Sequence, residues 1–339
     1  MTSVNVRILL LFLVGSLFSA ASLRANEPAP ISAAIDKALP LLARAAAGSA
    51  AERTCFTCHS QALPVFALAA AREHGFTIDE KVFQAQVEHT LTFVKGSRQR
   101  YLDGRGTGGK VDLAGYALWT LDDGKHPRDE NTDAVIEYLL AYRADSPSWP
   151  STSNRPPSQG SHFTTTYLAL RGLGSYAAAE HRAGAEKRQA AAEEWLLATP
   201  AKTTEDHVFR LRSLHYLGVD TAEVISAADA LLALQRTDGG WSQTADMESD
   251  AYATGTALVA LAECDRLEPV SAAYQRGIDF LLKTQLPDGS WRVTTRSKPI
   301  QKYFETGFPH EKDQFISTTA TAWAVQALLK TTPLADAAP

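Results

Sequence analysis

Cysteine is nearly absent from this chain: three in 339 residues, an odd and small number that excludes a disulfide-knit scaffold. Methionine is rarer still, and Met247 is the only one beyond the initiator. No basic stripe is present either. Thirty-three Lys and Arg stand against 38 Asp and Glu, a formal net charge of -5 with the cations dispersed, so the chain offers no footprint for nucleic acid. Beyond the N-terminal segment no run is apolar enough to cross a bilayer. A G-x-S-x-G elbow, a G-C-G-E-Q thioester and a phosphate-cradling glycine loop are all missing. "DGRGTGG" at 103–109 is glycine-rich, but no strand precedes it, and it reads as a flexible loop. Cys264, late in the apolar "ALVALAECDRL", reads as a small buried hydrophobe.

The first 25 residues carry Arg7, the apolar run Ile8–Val14 continued by Leu17-Phe18, and then Ser19-Ala20-Ala21. This is the layout of a secretory signal peptide, with cleavage expected between about Ala21 and Ala25. The mature protein is therefore expected to be exported, periplasmic or secreted. The rest is 45% hydrophobic over the whole chain, enough to bury a large core. It is expected to form one domain, 26–332, with a disordered tail at 333–339.

Internal repetition decides the architecture. Six segments start with a polar or capping residue and continue as a short helix rich in Ala, Leu, Thr and Gly; they begin at His59, Asp112, His162, Asp206, Ser249 and Ile316. Each follows a longer segment with apolar residues at three- and four-residue spacing, such as "ISAAIDKALPLLARA" and "YQRGIDFLLKTQ", the mark of a helix with one wet face. The small-residue helices read as an inner layer and the amphipathic ones as an outer layer. Six such hairpins, about 12 helices, predict an all-α fold closed into an α/α toroid rather than left as an open solenoid.

Two loops add a family resemblance. "QRTDGGW" (Gln235, Gly239, Trp241) and "QLPDGSW" (Gln285, Gly289, Trp291) both follow Q-x-x-x-G-x-W, and "YRADSPSW", ending at Trp149, is a degenerate third copy. They resemble the QW repeats of squalene–hopene cyclases and of the β-subunits of protein prenyltransferases, whose fold is this toroid. The resemblance implies that the Gln amide and Trp ring tie an outer helix to its neighbour, a structural role that Asp-Gly turn chemistry and a buried indole also suit. It does not carry over the catalytic Asp-x-Asp-Asp of class II cyclases. Asp122-Asp123 falls at the wrong end of its helix, and "SDAYATG" supplies only Asp250. Classical class II cyclisation is therefore not expected, and an enzyme here would more readily be an oxidoreductase. Together with "YFETGFPHEKDQFIS" these segments look like exported, squalene-cyclase-like bacterial proteins carrying a C-x-x-C-H segment, a resemblance that implies no particular reaction.

That segment is Cys55-Phe56-Thr57-Cys58-His59. If the inner helices run parallel, their N-termini share one face of the ring, and the motif stands at the rim of its mouth. Asp112, His162, Asp206, His207 and Asp250 begin the later inner helices at the same rim, largely in capping positions. Two thiols three apart followed by His suit a c-type haem, Cys55 and Cys58 forming the thioethers and His59 ligating iron. Export suits it too. A zinc site using Cys55, Cys58 and His59, a redox-active cysteine pair, and packing alone stay open. The prenyltransferase resemblance also implies zinc at this mouth, without matching any ligand. Met247, His162, His207 and His310 are the candidates for a second axial ligand. The long stretch Trp291–Phe315, with Tyr303, Phe304 and Phe308, is expected to line or cover the mouth. Tyr116, Trp119, Tyr167, Tyr252 and Trp323 are expected to line an apolar cavity or to fill the ring. The partner expected is a hydrophobic small molecule, such as one of isoprenoid-like chemistry, or an electron-transfer protein; the alternatives are a non-redox binding toroid or a zinc enzyme.

Overall fold

The computed structural model describes residues 30–299 and 302–335. The expected signal peptide lies outside the described residues. Among the described residues, twelve α-helices alternate between two layers. The outer helices are α1 (Pro30–Glu52), α3 (Glu80–Leu102), α5 (Glu130–Ala141), α7 (Arg182–Ala198), α9 (Thr221–Leu232) and α11 (Ala272–Thr284). The inner ones are α2 (Leu63–Glu73), α4 (Lys110–Asp123), α6 (His162–Tyr176), α8 (Thr204–Tyr216), α10 (Ala251–Glu263) and α12 (Gln314–Leu329). Consecutive inner helices pack side by side, and α12 packs on α2, so the inner layer closes into a ring; α11 meets α1 in the outer layer. Two two-residue strands, β1 (Trp241–Ser242) and β2 (Ser249–Asp250), pair antiparallel before α10. No described helix is long and apolar enough to cross a membrane.

The inner helices are buried on every face. All but Phe315 of the 16 residues of α12 are buried. Such a helix can carry many hydroxyls only if each finds a partner. Thr120, Thr256, Thr318 and Thr319 donate to the carbonyl four residues back, at 2.7 to 3.0 Å, so polar helices pack without water. Small residues set the spacing. A Cβ on Gly255 would stand 2.7 Å from the Trp323 carbonyl carbon, so α10 and α12 touch backbone to backbone. On the outer helices burial is one-sided, as in α11, where Tyr274, Gly277, Ile278 and Leu281 face inward. Side-chain caps start most helices: Asp79, Asp129, Ser161, Thr203, Asp220, Asp250 and Ser271 each accept a backbone N–H of the first turn.

The QW loops join the layers in one repeated way. Trp149, Trp241 and Trp291 donate their indole N–H to the carbonyls of Leu139, Leu231 and Leu281 at 2.7 to 2.9 Å. Their backbone N–H groups meet the hydroxyls of Thr166, Thr254 and Thr321 on the next inner helix. Gln235 reaches the carbonyl of Ala273, and Gln285 that of Ala34, both at 2.8 Å. The second contact spans 251 residues and closes the ring on α1. Gly239 and Gly289 have φ of 89° and 93°, and a Cβ on Gly289 would stand 2.6 Å from the Lys37 carbonyl oxygen. The third copy has Arg143 where the others have Gln. There Arg188 of α7 replaces the bridge, donating to the Arg143 carbonyl at 3.0 Å and covering the Trp149 ring at 4.0 Å.

Of the expected tail at 333–339, residues 333–335 are described and lie against the end of α2; 336–339 lie outside the described residues. Ala335 donates to the Glu73 carbonyl at 3.0 Å and the Pro333 carbonyl meets His74 Nδ1 at 3.1 Å. The exposed end of α2 has unsatisfied carbonyls, and the first three tail residues satisfy part of that need.

Candidate functional site at the mouth of the ring

The cysteine motif joins α1 to α2. Its second half, Cys58–Ala62, is a wide π-helical turn, a local distortion that recurs at functional sites. The cause is visible in its partners. Thr57 N–H is taken by Gln61 Oε1 at 2.8 Å, Gln61 Nε2 is tied to Gln86 of α3 at 3.0 Å, and Ala62 N–H reaches back to the Thr57 carbonyl. The turn is thereby fastened to the outer layer, and α2 begins only at Leu63.

Cys55, Cys58 and His59 all line one cavity of about 210 Å³, with Phe56, Phe93, Leu113, Thr107, Gly108, Arg155 and Gln159. Cys55 is exposed and Cys58 buried, and both thiols are free. Burial, with Asp112 adding to it against Arg155, pushes the Cys58 thiol up to about 12. The His59 ring stands edge-on to Phe315 at 4.9 Å; its Nδ1 lies 3.7 Å from Cys58 Sγ, and its Nε2 is buried without a partner. Burial, then the Arg155 charge, lowers its pKa to about 3, so the imidazole is neutral at every ordinary pH.

Two segments flank the motif, and of these only 150–161 lines its cavity, through Arg155 and Gln159. One is 150–161, with a cis Pro156-Pro157 bond and an Arg155–Gln159 bridge. The other is the long connection before α12, where Arg53 lies 4.6 Å over Phe304 and Phe304 packs on Phe315 at 5.3 Å. Ser297 Oγ joins them, donating to the Pro156 carbonyl at 3.2 Å. In that second segment Trp291, Phe304 and Phe308 are buried and Tyr303 is exposed. The glycine-rich stretch 103–109 supplies cavity wall through Thr107 and Gly108.

The other rim residues divide. Asp112 is fully buried and is not a cap: it accepts from Thr165 Oγ1 and, at 3.0 Å, from Ser151 Oγ, joining α4 to α6 and to the 150–161 segment. Burial raises its pKa. Asp206 closes a capping box with Thr203 and accepts from Ser161 at 2.6 Å, while Asp250 caps α10 and accepts from Gln243 at 2.9 Å. None of Met247, His162, His207 and His310 lines the cavity. His162 accepts the Ser151 N–H through Nδ1 at 3.0 Å, and His310 Nε2 is 2.7 Å from Ser290 Oγ in the second QW loop. Sequence reasoning placed them at one rim because the inner helices are parallel, but a ring spreads that rim over its whole circumference. No three His, Cys, Asp or Glu side chains gather into a metal-holding group among the described residues.

Sequence reasoning missed Arg155 and Gln159, which carry no motif, and Glu205, hidden next to Asp206. Glu205 is buried between Thr164 Oγ1 at 2.7 Å and the Tyr252 hydroxyl at 3.0 Å. Burial raises its pKa to about 8. Tyr116, Trp119, Tyr167, Tyr252 and Trp323 are all buried. Trp119 and Trp323 lie 6.5 Å apart, Tyr116 and Tyr252 are buried nearer the mouth, and the Arg212 guanidinium carbon lies 5.4 Å from each tryptophan ring.

With this geometry in view, comparison with known proteins agrees on the class. Residues 203–316 match the squalene-hopene cyclase C-terminal domain. Lanosterol synthase from Candida albicans is 32% identical over 96 residues, 25% of this chain and 13% of that enzyme's length. The solved structure of the type II terpene cyclase MstE from Scytonema, in its apo form, superposes with a TM-score of 0.55 at 15% identity, covering 89% of this chain and 98% of the other. The fold is an α/α toroid like that of this terpene cyclase, and residues 203–316 are similar to the squalene-hopene cyclase C-terminal domain.

Can the mouth hold a haem? Covalent attachment needs two free thiols and an imidazole with an uncommitted nitrogen. Cys55 and Cys58 are free, His59 Nε2 is an orphaned buried atom, and one cavity wall holds all three. The residues fit. The cavity is smaller than the roughly 300 to 1,000 Å³ that drug-sized ligands occupy, so it would take only part of a tetrapyrrole.

The two thiols should differ sharply in chain produced without haem maturation. At about 12, Cys58 holds roughly a thousandfold less thiolate than an ordinary thiol at the same pH, and it is shielded. A maleimide should modify Cys55 quickly and Cys58 only on unfolding, read by peptide mass spectrometry. Equal rates would contradict the buried π-turn.

Proposed function

We propose that this is an exported c-type haem protein in which the toroid presents the group at its mouth, with Cys55 and Cys58 as the thioether residues and His59 as the axial ligand. One observation carries the reading: the three motif residues line a single cavity, and the nitrogen that a metal would use is the one left without a partner. The group would supply one-electron transfer or an open iron position for a small molecule. The chain's own residues orient and shield. Phe315, held by Phe304 and Arg53, keeps the imidazole edge-on. Phe56, Phe93 and Leu113 supply an apolar wall, and Arg155 brings a cation to the rim. Because Cys58 is buried in the folded ring, its thiol must react before the ring closes over it. An electron-transfer protein or a small hydrophobic molecule is the partner this surface suits.

The test is expression of the full chain in a periplasm with haem-maturation machinery. Haem should survive acid–acetone extraction, give a Soret band and stain a denaturing gel. Cys55→Ala or Cys58→Ala should weaken or abolish the covalent link, and His59→Ala should disturb ligation while leaving both thiols. A colourless protein, with zinc or with an oxidised Cys55–Cys58 pair, would end the reading.

A second reading, acid-initiated chemistry on an isoprenoid-like substrate, is favoured by Glu205. Its raised pKa keeps it protonated near neutrality at the top of an aromatic bore, in a chain similar to a lanosterol synthase. That chemistry needs open space beneath Glu205, and two turns further along α8 the space holds Arg212.

A further inference from the structure

Five inner helices send an aromatic ring to the axis of the toroid: Phe66 from α2, Trp119 from α4, Tyr167 from α6, Phe209 from α8 and Trp323 from α12. Centroids of touching rings lie 4.4 to 6.5 Å apart. Phe66 meets Trp323 at 5.0 Å and Phe209 meets Trp323 at 6.5 Å, so the cluster spans the bore from side to side. At its centre is a cation. Arg212 is 4% exposed, and its guanidinium carbon lies 4.5 Å from the Tyr167 ring, 5.4 Å from Trp119, 5.4 Å from Trp323 and 5.6 Å from Phe209.

Hydrogen bonding does not account for this placement. Nε donates to Glu263 at 2.9 Å, yet Nη1 is buried with no partner. A buried guanidinium with a free N–H is costly unless something replaces its hydration. Here the ring faces do, each presenting its negative quadrupole to the charge. A second guanidinium, Arg171, covers Trp119 at 4.7 Å and is neutralised by Asp122 at 2.9 Å and Asp123 at 3.2 Å. Those carboxylates end α4 and Glu263 ends α10, so the charged groups close the bore at the end away from the mouth.

We propose that the bore is a cation cage whose permanent occupant is Arg212, and that Arg212 is the specificity-determining residue which denies the bore to an apolar guest. The ring faces a polyene would need are already engaged by the guanidinium. Ligand chemistry is left to the mouth. The inference stands on the bore alone and is independent of haem at Cys55 and Cys58.

The experiment uses the full chain and does not read haem content. A farnesyl diazirine probe is photolysed with wild type and with Arg212→Ala, and labelled peptides are mapped. Wild type should carry no label on the peptides containing Trp119 and Trp323, and Arg212→Ala should acquire it. The melting temperature of Arg212→Ala should fall, and millimolar guanidinium or methylguanidinium should restore part of the loss while equimolar urea does not. Wild type should not respond. Label in the wild-type bore, or an Arg212→Ala protein indifferent to guanidinium, would overturn the proposal. Should that variant fail to fold, wild-type labelling decides: a clean bore supports the cage and a labelled bore refutes it.

Discussion

Trp291→Ala is expected to lower the stability of the folded chain by about 3–5 kcal/mol, the usual range for deleting a fully buried large aromatic. Trp291 is 1% exposed, and its truncation removes three things together. The cavity left is large, the Leu281 carbonyl at the end of α11 loses its indole donor, and the loop is freed that carries Gly289 against α1. That loop includes the Gln285–Ala34 contact, where the last outer helix meets the first. The effect should therefore exceed that of truncating an equally buried aromatic away from the seam, such as Tyr101→Ala, and should appear in the denaturant midpoint with the slope unchanged. A loss below about 1 kcal/mol would mean that the seam does not depend on this loop. Gly289→Val tests the same seam from the other side, since its backbone is left-handed and its Cβ would press on Lys37.

Glu205→Gln is expected to stabilise the protein in alkaline solution and to flatten its pH dependence. The folded-state pKa of Glu205 is raised from 4.5 to about 8, by burial first and by Asp206 second, against hydrogen bonds from Thr164 and Tyr252 and the charge of Arg212. Between those two values the folded state holds a proton that the unfolded state has released. Stability is therefore greatest below 4.5, falls as pH rises through the window, and levels off above about 8. The total is of order a few kcal/mol. Asp123, raised to about 7 by burial, slopes the same way but is present in both proteins, so their difference isolates Glu205. Urea unfolding at the two ends of the window measures it. Gln keeps a group of the same shape that can accept from Thr164 or Tyr252 without a charge to desolvate. Parallel pH profiles for the two proteins would show that Glu205 ionises freely in the fold.

Legibility followed range along the chain. Helix periodicity, caps and Asp-Gly turns are local, and all six inner and six outer segments read from the sequence correspond to helices. The Cys55–His59 motif was legible because its spacing is covalent chemistry within five residues. Arg155, Gln159 and Glu205 were not. Each matters through partners brought by other segments: Arg155 and Gln159 by facing Cys58 across the mouth, and Glu205 by meeting Thr164 and Tyr252, 41 and 47 residues away. Arg212 was hidden for the same reason: "HVFRLRSLHYLG" reads as an inner helix, but nothing local places four rings from other turns and helices around its guanidinium. Conversely, His162, His207, His310 and Met247 looked equivalent at the ends of repeats and are dispersed around the ring.

The sequence by itself determined that the protein is helical, that short small-residue helices alternate with amphipathic ones, and that two cysteines and a histidine stand where an inner helix begins. Those properties depend on residues within one or two turns of each other, where backbone preference, capping and burial pattern act directly. Only the tertiary structure decided that the ring closes through Gln285 and Ala34, that His59 keeps a nitrogen unpartnered beside Phe315, and that the bore is filled around Arg212. Each of these is set by groups far apart in the chain, and the burial that fixes their charge and hydrogen bonding exists only once the helices have packed.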